Sequence, residues 1–248
     1  MASQTLPVTQ LQRAGERAFF DFGWLRTHHG FSFADYYDPE NLNWGALRVF
    51  NDDTVAPGKG FGTHPHRDME IVTYVLRGEL EHRDSLGHAG VVAPGGIQYM
   101  SAGTGVQHSE FNHSATNPVH FVQMWVLPGK LGVKPSYGQH DFAEEERRNR
   151  WLAVASGAPT VDSPVRLMQD ATLRVARLER GTLSYDLARG RFGYLFVADG
   201  EAEALGERLG AGDSLRFTGI DRIDVQGAEA ELILWDVPPA GDGVPDDA

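Results

Sequence analysis

Apolar residues come in short runs along this chain, and the runs are built from β-branched and aromatic side chains: Tyr74–Leu76, Val91–Val92, His120–Leu127 and Leu232–Trp235. Glycine punctuates them at 29 positions. The stretches between runs, such as Ser85–Gly90 and Pro94–Gly96, are rich in turn formers. Across Gly78–Asp84 outward charges alternate with other side chains, the period-two signature of a half-buried strand. This pattern predicts an all-β protein made of successive antiparallel hairpins. Helix is scarce. Pro7–Gly15 has room for one turn, and Phe142–Arg150 has the charge mix of a short solvated helix or linker, with Glu144–Arg148 read as a solvated charge run. Residues 237–248 read as a flexible acidic tail.

The pattern also repeats. Leu76-Arg-Gly78-Glu79-Leu-Glu81, followed by Pro94-Gly95-Gly96, is echoed by Ala198-Asp-Gly200-Glu201-Ala-Glu203, followed by Ala211-Gly212-Asp213. Order, turn chemistry and spacing agree, which predicts two similar β units, 1–140 and 141–236. All ten histidines lie at or before His140, so histidine chemistry belongs to the first unit. Aligning Gly78 with Gly200 sets Asp186 and Ala188 opposite His64 and His66, and aligning Gly95 with Gly212 sets Val225 and Gly227 opposite His108 and Glu110. The second unit is therefore expected to lack an equivalent site and to serve packing, pocket closure or partner contact.

Charge narrows the function classes. With 22 Lys+Arg against 34 Asp+Glu the formal net charge is -12, and no basic stripe is present, which disfavours direct nucleic-acid or anionic-membrane binding. No cysteine occurs, so disulfides and thiolate chemistry are excluded. The first residues lack a basic start followed by an apolar run, and nothing approaches the ~18 apolar residues of a membrane span. A cytoplasmic protein is expected. No phosphate-binding glycine loop or Ser-His-Asp pattern stands out.

Two segments carry metal-capable side chains at i and i+2: His64 and His66 in Gly62-Thr-His-Pro-His-Arg, and His108 and Glu110 in Gly105-Val-Gln-His-Ser-Glu. On a strand that spacing puts both members of a pair on one face. Both pairs flank glycine-rich corners. If they converge, three imidazoles and a carboxylate form a mixed N/O set suited to Fe(II), Mn, Ni, Cu or Zn rather than Mg or Ca.

The run Phe31-Ser-Phe-Ala-Asp-Tyr-Tyr-Asp38, with His64-Pro-His66-Arg67, Thr73–Leu76, Gly78-Glu79, Glu81–Ser85, Met100–Gly103, Gly105 and His108-Ser-Glu110, resembles the pirin family of bicupins over nearly the whole chain. Arg67-Asp68-Met69-Glu70 is similar to the bacterial quercetin 2,3-dioxygenase branch. The resemblance implies two stacked cupin (jelly-roll) barrels, with a metal in the N-terminal one on His64, His66, His108 and Glu110. Fe(II) is the expected ion, with Ni, Mn, Cu or Zn as alternatives. It further implies a dioxygenase that opens a flavonol such as quercetin with O2 and releases carbon monoxide, Glu110 acting as general base. The alternative is a metal- or redox-responsive regulator that binds a protein partner.

Strand arithmetic leaves the carboxylate open. Glu70 shares parity with His66 but lies ~13 Å away in an extended chain, whereas Glu110 is two residues from His108. The resemblance points to Glu110, leaving Glu70 as a supporting carboxylate that orients a ligand imidazole. His82 and His88 are expected to be surface groups on a polar hairpin. His113 and His120 lack a second ligand at strand spacing. His28-His29 leads into an aromatic run expected to form core or a barrel lid, and Met124 and Trp125 read as core.

Overall fold

The computed structural model describes residues 7–241. Two cupin barrels follow one another, as the repeat predicts. In the first, a seven-stranded sheet runs in the order Ser136–His140, Ile97–Ser101, Glu70–Arg77, Val119–Val126, Leu47–Val55, Leu25–His29, Ala18–Asp21. A four-stranded sheet runs in the order Gly60–His66, Val106–Asn112, Leu80–Asp84, Ala89–Val92. Buried Leu25, Val55, Val75, Val119 and Phe121 of the larger sheet pack against Leu80 and Val92 of the smaller one, closing one end of the barrel.

Burial follows the residue pattern. Val106–Asn112 alternates, with Val106, His108, Glu110 and Asn112 turned inward. Glu70–Arg77 is buried at six consecutive positions, Glu70 to Val75. One of its faces lines the first barrel and the other meets the second, which explains why this strand reads as a continuous apolar run. The largest core cluster crosses between the barrels: the Phe50 ring lies 4.7 Å from that of Tyr194 and 4.8 Å from that of Phe196. Trp235 Nε1 points at Met124 Sδ across the same boundary at 3.0 Å.

The sequence echo is a repeated pair of turns. Gly78 and Gly200 have φ of 75° and 78°, and Gly95 and Gly212 have φ of 83° and 86°. In each copy the second glycine donates to an equivalent strand carbonyl at 2.8 Å, Gly95 N to Val75 O and Gly212 N to Val197 O. A Cβ at Gly78 would meet Pro118 O at 2.7 Å and one at Gly200 would meet Glu229 O at 2.2 Å, so glycine is required twice over. The second barrel's interior is aliphatic: Val225, aligned with His108, is fully buried among Leu178, Leu183 and Ile223.

Four expectations change. Val8–Gln12, read as part of the first unit, pairs with Ser214–Thr218 in the second barrel's sheet, and Asp213 anchors it by accepting from Ala14 N at 2.8 Å and Arg13 Nη1 at 2.9 Å. The turn read within 7–15 is a single 3-10 turn, Ala14–Glu16, placed after that strand. The charge run Glu144–Arg148 is not wholly solvated, because Arg147 is buried and donates to both carboxylate oxygens of Glu231 at 2.9 Å. The expected tail begins later than 237: Val237 ends the strand Arg222–Val237, and Pro238 O accepts from Ala46 N at 2.9 Å. Residues 242–248 of that tail lie outside the described residues.

Candidate metal centre and pocket

Gly60–His66 and Val106–Asn112 are adjacent antiparallel strands whose register sets His64 opposite His108 and His66 opposite Val106. A bulge between His108 and Glu110 then shifts the pairing, so that Glu110 faces Phe61. Gly60 makes room for it, since a Cβ there would lie 2.2 Å from Glu110 O. One ligand atom each of His64, His66 and His108 falls within 4.8 Å of the others. Glu110 belongs to a second such group, with His108 and His82. The three predicted imidazoles therefore converge, while the predicted carboxylate sits beside His108 and next to a histidine assigned to the surface.

The hydrogen bonds assign the ring tautomers. His64 Nδ1 donates to Gly62 O at 2.7 Å, which leaves the lone pair on Nε2. Asp84 has a fully buried side chain. Burial raises its pKa, but hydrogen bonds from His88 N and the His88 and His82 rings outweigh that and bring it below the ordinary value. It thus accepts from His82 Nε2 at 3.2 Å, and His82 Nδ1 is left to accept from His108 Nδ1 at 3.4 Å. His108 Nε2 then also carries a lone pair, and it faces His64 Nε2 at 3.1 Å. Two lone pairs at that distance repel unless a cation lies between them. Nitrogens each ~2.1 Å from one ion and at right angles around it lie about 3.0 Å apart, so the donor set fits a transition-metal ion. Burial first, then the neighbouring imidazoles, lowers the pKa of His66 and of His108 to about 3. Protons thus compete for these two rings only in solution more acid than an ordinary imidazole's range.

Glu110 is fully enclosed, and burial raises its pKa against the opposing influence of His82 and of its hydrogen bonds. Gln123 Nε2 donates to Oε2 at 2.7 Å, and Gln98 Nε2 donates to Oε1. Both amides come from the facing sheet, where Gln123 and Gln98 flank Thr73 in register.

Glu70 orients no imidazole. It accepts from Tyr99 Oη at 2.9 Å, Met168 N at 2.7 Å and Gln169 N at 2.9 Å, tying the first barrel to a loop of the second. His82 is 1% exposed and stacks on Tyr137 at 4.2 Å, so its assignment to the surface is corrected. The signal was available: if Glu81 and Arg83 point outward, Leu80, His82 and Asp84 must point in. His88 is the exposed end of that hairpin, and His113 and His120 pair with Glu81 and Asp52.

A cavity of about 270 Å³ opens in front of His64, His66 and Glu110. Aromatic rings line much of it: Phe20, Phe22, Phe33, Phe61 and Trp125. Trp125 is thus pocket wall as well as core, its ring edge-on to His66 at 4.9 Å and to Phe33 at 5.3 Å. A polar stretch of the wall comes from the paired strands Leu25–His29 and Leu47–Val55: Thr27, His29, Asn51 and Asp53. Burial, followed by the Arg17 and His28 charges, lowers the His29 pKa to about 4. Burial and the nearby Asp52 and Glu110 carboxylates raise that of Asp53 to about 7.

Comparison with known proteins agrees with this architecture. The family description Pirin matches residues 10–126, and the description Quercetinase C-terminal cupin domain matches residues 153–237. A Mycobacterium tuberculosis protein is 47% identical over 234 residues, covering 93% of this chain and 95% of its own length. A protein of Escherichia coli K12 named quercetin 2,3-dioxygenase is 39% identical over 231 residues, 92% of this chain and 98% of its own. The crystal structure of the Escherichia coli bacterial pirin YhhW in complex with nickel(II) superimposes with a TM-score of 0.88 at 38% identity, covering 94% of this chain and all of that one. With both barrels matched and relatives this similar along nearly their full length, the chain belongs to the pirin family.

Proposed function

We propose that this protein is a metal-dependent dioxygenase that opens a flavonol such as quercetin with O2. The observation that carries the reading is the convergence of His64, His66 and His108, with Nε2 of His64 facing Nε2 of His108, beside a buried carboxylate in an open aromatic cavity. The name of the Escherichia coli relative and the nickel complex of YhhW support it. In the reaction two carbon–carbon bonds of the heterocycle break, both atoms of O2 enter the depside product, and carbon 3 leaves with its oxygen as carbon monoxide.

His64, His66 and His108 would hold a divalent transition metal, Fe(II) being the ion proposed, with Glu110 completing the set or standing next to it. When bound, such an ion lowers the pKa of the flavonol 3-hydroxyl and supplies a redox-active centre for O2. The chain's own residues do the rest. Glu110, its pKa raised by burial, is suited to take the hydroxyl proton, and Gln98 and Gln123 hold its two oxygens in place. Phe33, Phe61 and Trp125 offer ring faces and edges to a planar substrate and keep water from it.

The test is anaerobic reconstitution with Fe(II), Ni(II) or Mn(II) separately, followed by O2-dependent loss of quercetin absorbance with detection of carbon monoxide, in wild type and His64→Ala. Metal-dependent turnover lost in His64→Ala is the expected result. Tight metal binding without turnover refutes the assignment and shifts it to the regulatory alternative, in which a protein partner is retained by one metal state only.

A further inference from the structure

Four polar side chains form one wall of the cavity, and cross-strand pairing explains their grouping. Thr27 is paired with Asp53 and His29 with Asn51, so the four share one face of the two strands. His29, Asn51 and Asp53 are 5%, 3% and 3% exposed. Within the protein, Thr27 Oγ1, His29 Nδ1, Asn51 Oδ1 and Asp53 Oδ1 have no hydrogen-bond partner. Buried polar atoms in native proteins are nearly always paired, so four unpaired atoms on one pocket wall call for a ligand group. Gln123, paired with Asn51 on its other side, bonds Glu110.

The chemistry of that group follows from the atoms. Asn51 Oδ1 is an acceptor, Asp53 Oδ1 accepts whenever its carboxyl is ionised, and a neutral His29 ring accepts through one of its nitrogens. The wall thus asks for O–H donors. Around it the pocket is aromatic, with Phe20 and Phe33 packed on the His29 ring at 5.1 and 5.3 Å. The imidazole cluster lies on other strands that line the same cavity.

We infer that Thr27, His29, Asn51 and Asp53 form a specificity wall that recognises adjacent hydroxyl groups on an aromatic ring of the substrate. The inference rests on the flavonol reading above and deepens it. A flavonol with a catechol on its pendant ring offers the wall two neighbouring O–H donors, whereas one with a bare pendant ring leaves the wall unpaired. Discrimination against a ligand that lacks a group the site is built to bond is steeper than against one that merely changes size.

The experiment compares quercetin with galangin, which differs only in lacking the two pendant-ring hydroxyls. Binding to nickel-loaded protein is read by tryptophan fluorescence quenching and calorimetry. Wild type is expected to bind quercetin at least tenfold more tightly, and the ratio is expected to fall to within twofold in Asn51→Leu and in His29→Phe. The second variant keeps the ring contacts with Phe20 and Phe33 and removes only the nitrogens, so it reports even where Asn51→Leu fails to fold. A wild-type ratio near one, or a ratio unchanged in His29→Phe, overturns the proposal. Discriminating binding without O2-dependent turnover leaves the wall standing and refutes the dioxygenase; turnover of both flavonols without discrimination does the reverse. Binding of neither refutes both.

Discussion

Arg147→Met tests the account of how the barrels are held together. Arg147 and Glu231 have side chains only 11% and 10% exposed, and the guanidinium reaches both carboxylate oxygens at 2.9 Å, while Tyr74 Oη donates to the same carboxylate. Removing the arginine strands a buried carboxylate, a change that costs about 3–5 kcal/mol. Arg177 Nη1, 4.0 Å from Glu231, retains part of the compensation, which puts the expected loss near the low end, about 3 kcal/mol. For a chain of this length that is a fall in Tm of roughly 6–12 °C. The loss should depend on pH. Burial raises the Glu231 pKa and Arg147 is its strongest opponent, so without Arg147 the carboxyl is pushed up further. An acid whose folded pKa is raised destabilises the fold as pH climbs from its unfolded pKa toward its folded one. The defect is therefore larger at pH 8 than at pH 5. Urea unfolding of metal-free protein at both values, with Arg147→Met/Glu231→Gln as the double variant, is the assay. A loss under about 1 kcal/mol, equal losses at the two pH values, or no recovery in the double variant would refute the reasoning.

His108→Ala is expected to abolish stoichiometric metal binding while far-UV circular dichroism stays native, because the core rests on apolar residues of both barrels; an unfolded variant would show the site to be structural. In metal-free protein, unfolded chains take up protons near pH 6.5 that folded His108 refuses until about pH 3, so stability attributable to this ring is lost as pH falls through that window. Relative to His108→Leu, wild type should lose about 1.4 kcal/mol per pH unit between pH 6 and 4, and parallel curves would contradict the burial argument. His82→Phe keeps the stack on Tyr137 but breaks the chain from Asp84 to His108; metal affinity by competition with a chelator should fall about 10–100-fold, and no change would show that His108 is oriented otherwise. Gly60→Ala drives a Cβ into the backbone at Glu110 O and Phe111 Cα and should cost about 1–3 kcal/mol, whereas Gly62→Ala, with open space around it, should melt like wild type.

Much of the architecture was legible because it is local. Period-two alternation and glycine turns with positive φ are properties of a few consecutive residues, and they specified hairpins, the repeat at Gly78/Gly200 and Gly95/Gly212, and the histidine-free second barrel. The pairs His64/His66 and His108/Glu110 were visible for the same reason, since spacing of two on a strand needs no distant partner. His82 was within reach of the same parity argument, but its polar, turn-rich hairpin made it read as surface.

Other features depend on which strands become neighbours. The register of Gly60–His66 against Val106–Asn112, with its bulge, decides that three imidazoles meet and that Glu110 faces two glutamines from the opposite sheet. Long-range pairing carries Val8–Gln12 into the second barrel, buries Arg147 on Glu231, and turns Glu70 from an expected helper of the metal site into a clamp on residues 168 and 169. The polar wall of Thr27, His29, Asn51 and Asp53 is likewise a product of cross-strand register. Sequence by itself determined the elements and the candidate ligand pairs, because those follow from side-chain type and short spacing. Tertiary structure alone decided partners, burial and the pocket's polar wall, because the cost of an unpaired polar group depends on what the fold brings to face it.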